Sequence, residues 1–132
     1  MGLFDVHAHL THPKLAPDLD GVLARARAAG VTSILSNGLN PSDNAATAAL
    51  AARDPIVKAC FGFYPVDTVL LKMIELGIDY PREAPAVAPE EGIAWVREHV
   101  DACFAVGEIG LDGHWVPEAL WAEQERVFRA MV

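Results

Sequence analysis

The stretch LFDVHAHL at residues 3–10 alternates apolar and polar side chains, as a half-buried β-strand does. Successive side chains of a strand point to opposite faces, so Asp5, His7 and His9 share one face and the apolar residues at even positions share the other. We expect the apolar face to pack beneath helices, which turns one carboxyl group and two imidazoles toward the interior. Two imidazoles at i and i+2 can bind one metal ion, with a neighbouring carboxylate accepting the N–H of a ligating ring. A histidine pair satisfied by backbone hydrogen bonds is the alternative.

Four apolar runs alternate along the chain with stretches that have the spacing of helices. The runs lie at residues 3–10, 31–36, 56–63 and 104–109, and the predicted helices lie at residues 19–29, 41–53, 90–100 and 117–132. Gly30 provides the stop signal of the first helix. After the third run, an apolar segment at residues 69–76 and a proline-containing internal loop at residues 77–89 interrupt the alternation.

Strands that alternate with helices predict βαβ units, right-handed crossovers and a parallel sheet. Four units in 132 residues give about 33 residues per unit, and eight such units would approach the ~250 residues of a (β/α)8 barrel. The predicted fold class is therefore α/β, a (β/α)8 TIM-type barrel. Residues 1–132 would supply about its first four βα units, as the N-terminal half of a single domain. An open four-stranded α/β sheet is the competing architecture, because periodicity does not separate the two.

The composition excludes several classes of protein. Hydrophobic residues make up 52% of the chain and charged residues 21%, which is typical of a folded domain. Ten basic and 18 acidic residues give a net charge of −8, which disfavours sequence-independent binding to nucleic acid unless a bound divalent metal reverses the sign locally. Neither a membrane span nor a signal peptide is indicated, so we expect a cytoplasmic protein. Cys60 and Cys103 are expected to be buried free thiols.

The fourth apolar run leads into the segment GEIGLD at residues 107–112. Glu108 lies between two glycines within an apolar run, which predicts a crowded interior position. Divalent ions accept carboxylate and imidazole ligands together, so Glu108 is a candidate metal ligand and catalytic residue, with a salt-bridged carboxylate as the alternative. Asp112 lies past the strand end on the same rim. It is a second candidate catalytic residue, supporting a metal ligand or contacting a substrate, and a turn-forming aspartate beside Gly113 is the alternative.

One amide lies on the apolar face of the last predicted helix. Leu120, Gln124 and Val127 share the spacing of a buried stripe. A buried polar group without a partner costs ~1–3 kcal/mol, so Gln124 should hydrogen-bond into the loop that follows the fourth strand. We expect it to support the structure and not to take part in catalysis.

Four segments of the chain carry a family resemblance. They are DVHAHL at residues 5–10, GFYP at residues 62–65, GEIGLD at residues 107–112, and Gln124 with Phe128 in the last helix. Together they resemble the TatD family of metal-dependent deoxyribonucleases, which belongs to the amidohydrolase-like barrels. The resemblance implies a hydrolase that cleaves phosphodiester bonds by metal-activated water, with DNA or a small phosphoester as substrate. It also implies two divalent ions (Zn, Mg, Mn or similar), with His7 and His9 on the first and Glu108 bridging the pair.

Two positions depart from the family pattern. Tyr64 stands where the family commonly has a histidine, and GHW at residues 113–115 replaces a common aromatic pair. Tyr64, which can donate one hydrogen bond, and His114 are candidate substrate-binding residues, and an exposed loop histidine is the alternative for His114. The family's further ligands, histidines from the fifth and sixth strands and an aspartate from the eighth, would lie beyond four βα units.

Two other functions stay open at this point. The first is a related barrel hydrolase that acts on an amide, an ester or a small phosphoester. The second is a catalytically incompetent half-barrel that binds a metal weakly and self-associates through its open edges, because unpaired strand edges and uncovered apolar faces favour association.

Overall fold

The computed structural model describes residues 2–132 and contains one parallel sheet with the strand order β1-β2-β3-β4. The strands are β1 (Leu3–Ala8), β2 (Val31–Asn37), β3 (Val57–Phe61) and β4 (Ala105–Val106). The helices are α1 (Leu19–Ala28), α2 (Pro41–Arg53), α3 (Leu70–Glu75), α4 (Pro89–His99) and α5 (Trp121–Met131). Short 3-10 turns lie at Ala16–Asp18, Asp67–Val69, Val100–Ala102 and Glu118–Leu120.

The strand order is the one that a (β/α)8 barrel has. Each strand pairs in parallel with the next one along the chain. Right-handed crossovers that always step in the same direction place all the helices on one face of the sheet, whereas a doubly wound sheet reverses its order at a switch point. The fold is therefore a parallel half-barrel of the α/β class, as predicted, and not a doubly wound open sheet.

Local signals in the sequence set the ends of the first two helices. Gly30 follows α1 with φ of +88°, a conformation that glycine adopts without steric cost. Asn40 caps α2, because its side-chain oxygen accepts a hydrogen bond from the backbone N–H of Asp43 at 3.2 Å. Both helices begin and end close to the predicted positions.

The fourth strand is shorter than the predicted run at residues 104–109. Only Ala105–Val106 pairs with β3. The backbone N–H of Gly107 still bonds to the carbonyl of Phe61 at 2.8 Å, but that of Glu108 donates to Gly38, at the end of β2, at 3.2 Å. The chain leaves β3 at this point because its next backbone hydrogen bond crosses to the end of β2, at the carboxyl-terminal edge of the sheet.

Three clusters of buried side chains form the core. The first lies between the sheet, α1 and α2, the second surrounds α3, and the third joins α4 to α5. Their buried members are Leu10, Leu23, Ile34, Leu50 and Val57; Val66, Val69, Met73, Val116 and Leu120; and Phe63, Ile93 and Val127. This packing fixes the helices on the outer face and leaves the inner face and the carboxyl-terminal edge open.

The outer face of β1 corrects one prediction. Phe4 and Val6 are each 69% exposed, so the expectation that the apolar face of β1 packs beneath helices is wrong for these two residues. Leu10, farther along the same face, is buried. The reason is geometric: α1 crosses toward β2 and packs against that strand, and β1 is the edge of the sheet.

Two expectations from composition can be compared with the structure. Cys60 and Cys103 are both free thiols, Cys60 buried and Cys103 partly buried. Burial raises the pKa of the Cys60 thiol above its usual value.

Among the helices of residues 2–132, none combines the length and the apolar character needed to cross a bilayer.

Candidate metal centre

Three predicted metal ligands meet at the carboxyl-terminal edge of the sheet. His7 and His9 project from the inner face at the end of β1, and Glu108 reaches them from the segment that follows β4. The Nε2 atoms of the two histidines lie 3.3 Å apart. The Oε2 atom of Glu108 lies 3.5 Å from Nε2 of His7 and 3.1 Å from Nε2 of His9. The structure thus brings together residues from opposite ends of the chain.

The spacing of these three atoms fits a single metal ion. Ligand atoms about 2.0–2.2 Å from one ion, at tetrahedral or octahedral angles, lie about 2.8–3.6 Å from one another. The three observed separations, 3.1, 3.3 and 3.5 Å, all fall in that range. Two imidazole nitrogens and one carboxylate oxygen form a donor set that suits zinc, manganese and similar divalent ions.

The backbone of β2 sets the tautomer of His9. Its Nδ1 atom lies 2.9 Å from the carbonyl oxygen of Asn37. Because a carbonyl oxygen only accepts, Nδ1 carries the hydrogen, and Nε2 of the neutral ring presents a lone pair toward Glu108. A lone pair facing a carboxylate oxygen is favourable only with a proton or a metal ion between them. In the metal-free protein the hydrogen bond to Glu108 raises the pKa of His9, and the same bond lowers the pKa of Glu108.

Comparison with protein families places the chain in one of them. The family model described as TatD related DNase matches residues 4–132. The chain belongs to the TatD family. It is 30% identical to the uncharacterized metal-dependent hydrolase YabD of Bacillus subtilis, over 98% of this chain and 45% of YabD. It is 32% identical to a Salmonella typhimurium protein named 3′-5′ ssDNA/RNA exonuclease TatD, over 98% of this chain and 44% of that protein.

A solved structure of the TatD family shows the same fold. YjjV, a TatD homologue from Escherichia coli K12, superposes with a TM-score of 0.71 at 25% identity. The match covers 98% of this chain and 44% of YjjV. The chain therefore spans less than half the length of these TatD relatives, and its four strands correspond to half of a TIM barrel.

The pKa shifts predict how the stability of this TatD chain varies with pH. The folded pKa of His9 is raised above 6.5, so its contribution to stability is complete below pH 6.5 and is lost as pH rises through the folded pKa. The folded pKa of Glu108 is lowered below 4.5, so its contribution is present above pH 4.5 and is lost as pH falls through the folded pKa. We expect the pair to stabilise the metal-free protein most between these values.

Urea unfolding at a series of pH values, in the presence of a chelator, measures this effect. In His9→Ala the loss of stability on raising the pH above 6.5 should largely disappear, because the group with the raised pKa is gone. Identical pH profiles for the original chain and the variant would contradict the assignment.

Backbone packing around Gly62 and Asn44 holds Glu108 in place. Asn44 is fully buried in α2; its Nδ2 donates to the carbonyl of Gly62 at 2.8 Å and its Oδ1 accepts from the N–H of Gly62 at 3.1 Å. A Cβ on Gly62 would overlap the backbone N and O atoms of Glu108. No role was predicted for Asn44, and Gly62 was singled out only as part of the GFYP segment. The available signal was a glycine directly after each of three strands, at positions 38, 62 and 107.

Substituting Gly62 with alanine should displace Glu108. The added methyl group meets backbone atoms, which cannot move aside as a side chain does, so we expect ~1–3 kcal/mol lower stability, typical of overpacking. Metal affinity should fall by about tenfold or more, the usual cost of disturbing groups that support a ligand. Urea unfolding and calorimetric titration with Zn²⁺ measure the two effects.

The matched control is Gly113→Ala, whose new methyl group would lie in ordinary contact with Trp121 at 3.8 Å. It should change neither quantity. Unaltered metal affinity in Gly62→Ala would show that the close approach of Gly62 does not position Glu108.

The carboxylate of Asp112 bonds to its own loop. One oxygen accepts from the backbone N–H groups of His114 at 3.0 Å, Trp115 at 2.7 Å and Val116 at 3.3 Å. This is the turn-forming geometry that the sequence analysis kept as the alternative. A catalytic role for Asp112 stays a prediction.

Gln124 fixes the same loop from α5. Its Oε1 accepts from the N–H of Asp112 at 2.9 Å, and its Nε2 donates to the carbonyl of Pro65 at 3.2 Å. The side chain is 1% exposed. The predicted burial and the predicted hydrogen bond into the loop after the fourth strand are both confirmed.

The two predicted substrate-binding residues lie in different surroundings. Tyr64 is partly buried, with the guanidinium of Arg82 5.0 Å from its ring centre. Burial and the neighbouring Tyr80 hydroxyl raise the pKa of Tyr64 to about 12, so its hydroxyl stays protonated and can donate. His114 is exposed and lies edge-to-face against Trp115, at 4.8 Å between ring centres. Substrate contact by either residue stays a prediction.

Proposed function

We propose that this chain supplies the His7, His9 and Glu108 side of the metal centre of a nuclease that hydrolyses phosphodiester bonds. The observation that carries the proposal is the triangle of ligand atoms, 3.1–3.5 Å on each side, at the carboxyl-terminal edge of a TatD-family half-barrel. Catalytic residues of barrel enzymes lie at this edge.

The residues of the site have separable roles in the proposal. His7 and His9 would hold the first of two divalent ions through Nε2, and Asn37 keeps the ring of His9 in the tautomer that leaves Nε2 free to bind. Glu108, which has two carboxylate oxygens, would be a ligand shared by the two ions. Bound divalent ions supply Lewis-acid chemistry, which lowers the pKa of water and neutralises charge on a phosphate.

The names of the relatives support a nucleic-acid substrate. The Salmonella relative is named an ssDNA/RNA exonuclease, and a human protein that is 27% identical over 85% of this chain is named deoxyribonuclease TATDN3. The net charge of −8 disfavours binding to a phosphate backbone without a metal, so a metal-centred contact with few phosphates fits this surface.

A chimera tests the proposed activity. It joins residues 1–132 to the part of E. coli YjjV that lies beyond the matched 44%. With Mn²⁺ present, the chimera should release nucleotides from single-stranded DNA, and a chelator or His9→Ala should abolish the release. A folded chimera that binds metal and cleaves amide or ester substrates but no phosphodiester would overturn the proposal in favour of the related-hydrolase alternative.

Self-association of the isolated chain is proposed separately. Phe4 and Val6 expose 69% of their surfaces on the edge strand β1, and an exposed apolar strand edge favours pairing with another chain. Sedimentation velocity should show a size that grows with concentration, and the double variant Phe4→Lys, Val6→Lys should shift the chain toward monomer. Leu76→Lys, at an exposed position beyond α3, is the control that should leave the size unchanged. A concentration-independent monomer would contradict self-association.

A further inference from the structure

A cleft of about 580 Å³ opens beside His9 at the carboxyl-terminal edge of the sheet. The loop after β1 forms one wall, the first turns of α2 form the second, and the proline-containing loop at residues 81–85 forms the third. This volume falls within the ~300–1,000 Å³ of typical small-molecule sites. Because His9 is part of the lining, a molecule that fills the cleft would lie near a proposed metal ligand.

The lining of this cleft contains two histidines, His9 and His12, and one guanidinium, that of Arg82. Its Nη2 donates to Oδ1 of Asp67, and its guanidinium lies 5.0 Å from the ring centre of Tyr64 and 5.7 Å from that of Tyr80. About a third of the side chain, 32%, remains exposed. The guanidinium is therefore held by groups on several sides and still presents part of its surface to the cleft.

The anchor of Arg82 is a fully buried carboxylate. Asp67 is 0% exposed and accepts a second hydrogen bond, from Nδ2 of Asn40, at 3.3 Å. Burial is the main cause that raises the pKa of Asp67, which shows that the carboxylate is costly to place there. A buried ion pair is a poor means of gaining stability, since apolar residues of similar size do as well. The ion pair with Asp67 does, however, hold the exposed edge of Arg82 in a fixed orientation.

The other walls suit a nucleobase. Pro13, Pro81 and Pro85 supply rigid apolar surfaces. Ser42 and Asp43 supply a hydroxyl and a carboxylate from the start of α2, and the backbone N–H of Leu39 holds the Asp43 carboxylate at 3.0 Å. Apolar walls with a few fixed polar groups are typical of small-molecule sites, and a flat nucleobase fits this description. A base in such a cleft must be unstacked and unpaired, since pairing would cover its edge.

The charges of the cleft limit the number of phosphates it can accept. The lining that contains Arg82 also contains two carboxylates, those of Asp43 and Glu83. A run of phosphates would need several cations along its path. One guanidinium suits a single phosphate, which it can bind with two parallel N–H bonds.

We propose that this cleft binds one unstacked nucleotide of a single-stranded nucleic acid, with its base between the proline walls and its phosphate on Arg82. The inference rests on the proposed function, because it assigns the nucleotide next to the phosphodiester held at His9. Asp67 is a positioning residue, since it acts through Arg82.

Binding to the metal-free chain tests the proposal directly. The 132-residue chain is titrated with 2′-deoxyadenosine 5′-monophosphate, with inorganic phosphate and with deoxyadenosine, and NMR follows the signals of Thr11, Ser42 and the Nε–H of Arg82. The nucleotide should shift all three signals and bind more tightly than either of its parts. Equal affinity for inorganic phosphate, or shifts confined to other regions, would overturn the proposal.

Variants separate binding from folding. Arg82→Met leaves Asp67 buried without its partner, so the double variant Asp67→Asn, Arg82→Met restores a neutral interior. Circular dichroism verifies the fold of the double variant. Its dissociation constant for the nucleotide should rise about tenfold or more, because a charge-assisted contact is lost. Arg25→Met, which removes an exposed guanidinium paired with Asp18 outside the cleft, is the matched control and should bind normally. A folded double variant with unchanged affinity would overturn the proposal.

A parallel Zn²⁺ titration, read at the ring signals of His7 and His9, separates this inference from the proposed function. Metal binding without nucleotide shifts in the cleft would refute the subsite and leave the metal centre intact. Nucleotide shifts without metal binding would refute the metal centre and leave the cleft assignment standing.

Discussion

Replacing Glu108 with glutamine should reduce the metal-dependent nuclease activity proposed for the chimera by about a thousandfold, the scale of losing several kcal/mol of charge stabilisation in the transition state. The two side chains have the same shape, so packing against Gly62 is preserved. The amide, however, is neutral and is a poor ligand for a divalent ion. It also removes the negative charge that the two imidazoles face at 3.1 and 3.5 Å.

The measurement is the initial rate of nucleotide release at saturating Mn²⁺, together with the metal content of the purified protein. Glu98→Gln, at an exposed position in α4, makes the same chemical change away from the site and should retain full activity. If Glu108→Gln kept both its metal and its rate, Glu108 would not be a ligand, and the salt-bridge interpretation of this carboxylate would stand.

The histidine half of this site could be predicted from the sequence because its cause is local. A strand has a period of two, so the positions of His7 and His9 on one face follow from the stretch at residues 3–10 alone. The position of Glu108 was predicted from its apolar neighbours and from the family resemblance. What holds it there could not be predicted, because Asn44 lies in an Ala-rich helix and Gly62 in a different unit, and only the folded chain shows their contact.

One wrong prediction and one contact that was not predicted also have physical causes. An apolar alternation shows that a strand has an apolar face, but it does not show what covers that face, so Phe4 and Val6 were expected to be buried. The proline-containing loop at residues 77–89 was interpreted as an internal connection only. Arg82 in this loop donates a hydrogen bond to Asp67, at the start of the preceding helical segment. The spacing of apolar residues does not predict which loop residue makes such a contact.

The partnership of Asp67 and Arg82 leads to the second large prediction. Arg82→Met should lower the free energy of unfolding by about 3–5 kcal/mol, because it leaves a carboxylate of 0% exposure without its cation. The remaining hydrogen bond from Asn40, at 3.3 Å, is too weak a substitute for a guanidinium. Arg25→Met removes the same group from a pair whose side chains are 67% and 65% exposed, and it should cost about 0–1 kcal/mol.

The double variant Asp67→Asn, Arg82→Met distinguishes a lost attraction from an uncompensated charge. If most of the loss comes from the buried charge, neutralising Asp67 should recover most of it, since replacing both members of a buried pair is often close to neutral. The pH dependence of the single variant gives an independent check. Burial raises the folded pKa of Asp67 above 3.8, so the penalty of its charge is absent below pH 3.8 and grows as pH rises. Urea unfolding should therefore show a smaller difference between Arg82→Met and the original chain near pH 4 than at pH 7, whereas a constant difference would mean that Arg82 stabilises the loop by packing alone.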